Sequence, residues 1–178
     1  MSKKTSLQVK YLTVSAMLCA LGAVILGLGA LIEVLDITVA VIASLLTVYA
    51  VIEIGGAYPW LIWIVTSTVS LLILPLQTPM LFYAFLTGYY PIIKQKIERR
   101  MARGPAWAVK LGVLAISLVV IWGVMRLFFP SLLESPGGWV IVAAVLILAV
   151  FSFVLYDICL TRLITLYFVR LQKRFRIK

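Results

Sequence analysis

The sequence predicts an all-α integral membrane protein: a bundle of six transmembrane helices with both termini in the cytoplasm. Three observations lead there. Of 178 residues, 64% are hydrophobic and only 12% charged, against about 25% charged in ordinary soluble domains, and the mean hydropathy is +1.16. Apolar runs near the roughly 20 residues needed to cross a hydrocarbon core recur along the chain. The basic residues cluster between those runs. Together they predict a single polytopic domain over residues 1–178, multi-pass in the cell membrane.

The first span is expected at about 11–33. The start "MSKKTSLQVK" is positive, as a signal peptide's would be, but the apolar stretch from Tyr11 to Ile32 is long enough to span, whereas a signal peptide has a shorter core and a cleavage site. It is therefore read as a retained helix. The second span, about 37–54, follows "EVLD", and the third, about 57–76, follows "GGAYP". The fourth, about 79–94, begins after "PLQTP" and is short for an untilted crossing, so it is expected to continue past Pro91 as an amphipathic helix. The fifth, about 107–129, and the sixth, about 138–160, are separated by the turn-forming "FPSLLESPGG".

Orientation follows from the retention of Lys and Arg on the cytoplasmic side. Six spans place the termini and the loops after the second and fourth spans on one side. That side collects Lys3, Lys4, Lys10, Lys94, Lys96, Arg99, Arg100, Arg103, Lys110, Arg170, Lys173, Arg174, Arg176 and Lys178. The other holds one cation, Arg126, with Glu33, Asp36 and Glu134. In "LTGYYPIIKQKIERRMARG" the chain leaves the membrane: Tyr89 and Tyr90 suit the headgroup level, and the cationic run lies beyond.

Within the first span Ala16, Ala20, Ala23, Gly27 and Ala30 fall four, three, four and three apart, a single stripe that lets another helix approach closely. It is read either as a docking surface for a partner subunit or as packing within the protein. The hydroxyls Thr66, Ser67, Thr68 and Ser70 lie mid-way along the third span. Most can bond carbonyls of their own helix, but Thr66 and Ser70 share a face and can contribute to a cavity. Toward the outer side, Asp36, Gln77, Tyr83 and Arg126 are candidates for an opening, with Glu33, Thr78 and Glu134. Arg126 is read either as the salt-bridge partner of Glu134 or Asp36, or as the group that grips an anionic substrate through paired hydrogen bonds. Glu53 and Asp157 sit near the cytoplasmic boundary. Pairing with Arg162, Lys110 or Lys94 is the plain reading of these acids, and coupling or proton movement the sharper one.

Several functions find no support in the sequence. There is no histidine, no glycine-rich nucleotide loop and no metal-ligand spacing, so neither catalytic residues nor a metal site nor a cofactor is expected. The two cysteines, Cys19 and Cys159, lie inside apolar runs and form no disulfide scaffold. The net charge of +10 is better matched to anionic lipid headgroups of the bilayer than to nucleic acid.

With its "SAMLCALGA" first helix, "ASLLTVYAVIEIGGAY" and "TSTVSLLILP" in the second and third, and "LTGYYPIIKQKIE" leaving the membrane, the chain resembles the membrane substrate-binding (S) components of energy-coupling factor transporters. In that family AxxxA patterns such as Ala16 and Ala20 contact the transmembrane coupling subunit. The first outer loop, "EVLD", is shorter than the family's substrate-capping loop. The resemblance covers the whole chain. It implies a micronutrient-uptake subunit that binds a small-molecule substrate from outside and is energised by separate ATPases and a coupling protein. A structural or assembly factor without a substrate, and, behind it, a membrane enzyme, are the alternatives from other classes.

Overall fold

In the computed structural model, residues 3–32, 35–73, 75, 77–128, 138–167 and 169 are described. Among them every regular element is helical: α1 (Lys3–Ala30), α2 (Asp36–Glu53), α3 (Tyr58–Ile73), α4 (Thr78–Phe82), a π turn (Tyr83–Thr87), α5 (Tyr90–Arg100), α6 (Arg103–Phe128) and α7 (Gly138–Leu166). Among the described residues four stretches are long and apolar enough to cross a membrane: Leu7–Ala30, Asp36–Glu53, Gly104–Phe128 and Leu146–Leu166. They correspond to the expected first, second, fifth and sixth spans. The expected third is the 16-residue α3, about 24 Å long at 1.5 Å per residue. The expected fourth is broken into α4, the π turn and α5.

The described residues form two compact units, one within Met1–Arg100 and one within Met101–Phe175. In the first, α1 packs against α2 and α3, and α2 packs against α4, the π turn and α5. Contacts fix the directions. Tyr11 meets Tyr58, Cys19 meets Ile62 and Gly22 meets Thr66, so α1 and α3 run parallel. Gly29 meets Val39, which sets α2 antiparallel to α1. The reversal between α2 and α3 is made by Gly55 and Gly56, at φ of +67° and +64°; residues with a Cβ rarely adopt this conformation. Leu26, Ala40, Ala43, Met80 and Tyr83 form the centre of the packing.

The second unit is an antiparallel pair. Ala106, Lys110, Leu114, Ser117 and Ile121 make the buried row of α6, and Phe153, Tyr156, Asp157 and Leu160 that of α7. The spacing of three and four is the helical repeat of one face.

Candidate functional site

Polar side chains gather in the interior of the first unit, around the π turn. In an α-helix each N–H bonds the carbonyl four residues back, but here the Gly88 N–H donates to the Tyr83 carbonyl, five back, at 2.8 Å. This wider turn leaves carbonyls for side chains: Trp63 Nε1–H donates to Ala84 O at 3.1 Å, and the Thr87 hydroxyl reaches Phe82 O at 3.4 Å and Ala40 O of α2 at 3.1 Å. The turn thereby aims Tyr83 into the bundle, where its hydroxyl shares a buried 3.2 Å hydrogen bond with Thr47 Oγ1. Tyr83 is 1% exposed.

Thr66 of α3 lies beside both the Tyr83 phenol and the Cys19 thiol of α1. The hydroxyls of Ser15, Thr66, Ser67 and Ser70 are all buried without a hydrogen-bond partner. This corrects the expectation that most hydroxyls of the "TSTVS" run bond their own helix. The contrast within the chain is clear: Ser44, Ser117, Thr161 and Thr165 do donate to carbonyls three or four residues back. A buried hydroxyl left unpaired costs about 1–3 kcal/mol, so each marks a place where a polar ligand or ordered water would be stabilised.

The candidate substrate residues fall in different places. Thr66, Ser70 and Tyr83 are buried in the first unit, with Thr66 beside Tyr83. Asp36 is half-buried in the first turn of α2, and Gln77 is exposed just ahead of α4. Arg126 belongs to the second unit, exposed near the end of α6, with its guanidinium carbon 5.2 Å above the Trp122 ring, a cation–π distance. Glu33 and Glu134 lie outside the described residues.

Of the candidate docking residues, Ala16 and Ala20 are exposed, and Ala23 and Gly27 are half-buried. Ala16, Ala20 and Ala23 line an open apolar groove of about 530 Å³ between α1 and α3. The face of α1 that packs inside the unit is a different one, carrying Gly22, Leu26 and Gly29. Sequence spacing did not separate these two faces, because small residues occur on both.

Asp157 pairs with Lys110, one of the partners expected from sequence: Lys110 Nζ donates to its Oδ2 at 2.9 Å, with both side chains 5% exposed. Lys110 also lies 5.2 Å from the Trp107 ring centre. At the end of the first unit Lys94 pairs with Glu98 one turn on, at 2.8 Å. Trp60, Trp63 and Tyr89 form an edge-to-face ladder with 5.6 Å between centroids, capped by Lys96 at 5.3 Å from the Trp60 ring.

Neither protein-family models nor curated proteins nor solved structures contain a match to this chain.

Proposed function

We propose that this chain is a multi-pass protein of the cell membrane, with six crossings and cytoplasmic termini, that serves as the substrate-binding subunit of a micronutrient uptake transporter. Separate ATPase and coupling subunits would supply the energy. The observation that carries this reading is the pair of buried, unpartnered hydroxyls one turn apart on α3, Thr66 and Ser70, with Tyr83 beside Thr66. They offer a small neutral molecule hydrogen bonds in a setting where water competes poorly. Exposure of Ala16 and Ala20 fits docking of a coupling subunit's helix, since small side chains allow close backbone approach.

A second reading is a structural or assembly factor without a substrate. It is favoured by the internal pairing of Tyr83 with Thr47 and by the apolar lining of the grooves on both units. Native mass spectrometry of the gently purified protein separates the two. A retained small molecule, lost in Thr66→Val, supports the transport subunit; partner proteins without any small molecule support the assembly factor.

A further inference from the structure

The last turns of α5 have two faces of different chemistry. One is buried and carries Tyr90, Lys94 and Ile97, with Lys94 paired to Glu98 at 2.8 Å. The other is exposed and carries Lys96, Arg99 and Arg100. Their spacing of three and four makes them neighbours on an arc of about 100°. Glu98 is the only acid in the helix, and among the described residues no carboxylate forms an ion pair with the three exposed cations. Like charges at this spacing repel. The negative end of the helix dipole favours cations in the last turn but gives no reason for them to share a face with Lys96. An anion over the arc removes the repulsion and accepts charge-assisted hydrogen bonds.

Contacts with α3 set the depth of this arc. Tyr89 meets Trp63 at 5.6 Å and Lys96 lies 5.3 Å from the ring of Trp60, so α5 runs antiparallel to α3 and passes its first turn, which begins at Tyr58. Trp60, Trp63 and Tyr89 are half-buried, and such rings favour the headgroup level of a bilayer. From Lys96 to Arg99 and Arg100 the helix rises roughly 4.5–6 Å. One headgroup layer is of similar thickness, since a bilayer of roughly 40–45 Å surrounds a hydrocarbon core of about 30 Å. With the indoles at the inner edge of that layer, the three cations stand within it. One turn inward from Trp60 on the same row of α3, Ile64 is exposed. The surface thus passes from cationic through aromatic to aliphatic, in the order that a phospholipid passes from headgroup to chain.

We infer that the exposed face at the end of α5 is a docking site for an anionic phospholipid. The phosphate lies across Lys96, Arg99 and Arg100, and an acyl chain runs inward past Trp60 and Ile64. In the proposed topology this is a lipid of the cytoplasmic leaflet. The inference rests on the membrane part of the proposed function and not on the transport part.

The experiment is native mass spectrometry of the full chain, purified in neutral detergent and titrated with an equimolar mixture of dioleoyl-phosphatidylglycerol and dioleoyl-phosphatidylcholine. One equivalent of phosphatidylglycerol should be retained in preference to phosphatidylcholine. Lys96→Gln, Arg99→Gln and Arg100→Gln should each lower that preference about fivefold; if one of them fails to fold, the other two decide. Arg162→Gln removes an equal charge from an exposed position on α7 and should leave the preference unchanged. An excess of inorganic phosphate should not displace the lipid, because it offers no acyl chain. Equal retention of the two lipids, or an equal loss in Arg162→Gln, would overturn the site. So would displacement by inorganic phosphate, or an acidic protein retained on these cations in place of lipid. Flotation with phosphatidylcholine vesicles tests the membrane reading separately: a chain that does not insert there overturns that reading instead.

Discussion

Replacing Lys110 by methionine should cost far more than its hydrogen bond to Asp157 suggests. The 2.9 Å contact with Asp157 joins two charges on side chains 5% exposed. At an effective dielectric of about 20 the gross attraction is about 6 kcal/mol, most of which offsets the desolvation of the two ions. The intact pair is thus close to break-even, but either charge left alone is strongly unfavourable. Lys110→Met or Asp157→Leu should each lower stability by about 3–5 kcal/mol. For a chain of this size that corresponds to a fall of roughly 6–20 °C in Tm, followed by circular dichroism in detergent. The double replacement Lys110→Met with Asp157→Leu removes both buried charges and should recover more than half of either single loss. Exchanging the two, Lys110→Asp with Asp157→Lys, should recover part of it. If the two single losses simply add in the double variant, the pair is not coupled and the argument from burial fails.

Other outcomes are expected. With Cys19 and Cys159 replaced by alanine, cysteines introduced by Ser2→Cys and Ser135→Cys should react with an impermeant reagent from opposite sides of the membrane; labelling from the same side would refute the six-span topology. Tyr83→Phe should lose about 1 kcal/mol through the bond to Thr47, whereas the near-isosteric Thr66→Val, which removes an unpaired hydroxyl, should leave Tm unchanged or higher; the reverse order would show that Thr66 is internally bonded. Were Arg126 to grip an anionic substrate, Arg126→Lys would retain fold and charge yet weaken binding, because the paired planar donors are lost; for a neutral ligand held by the α3 hydroxyls the affinity should not change. Unchanged affinity in Arg126→Ala, measured by calorimetry on folded protein, would exclude that role.

The helices were legible in the sequence wherever length and breakers agreed. Gly55 and Gly56 end one span and Pro59 opens the next, and α2, α3, α6 and the start of α7 lie within a few residues of the stretches expected. Asp157 was marked by the cost of an acid in an apolar run, but three cations could satisfy it, and only packing of α6 on α7 selects Lys110. The π turn left no readable signal, since Tyr83–Thr87 contains residues that suit an ordinary helix. What fixes it is tertiary: the indole of Trp63 and the hydroxyl of Thr87 take up carbonyls. The state of the α3 hydroxyls was hidden for a related reason. Whether a serine bonds its own helix depends on a rotamer chosen by its neighbours.

The π turn has the geometry of one residue too many. A single residue advances an α-helix by 100° and 1.5 Å, so the wide turn works as a phase shifter between the segments on either side. Before it, Pro79 and Met80 set the inward direction; after it, Tyr90, Ile92, Lys94 and Ile97 do so. Deleting one residue from Tyr83–Thr87 would restore regular bonding yet swing the basic face of α5 by more than a quarter turn, carrying Lys94 out of its buried position.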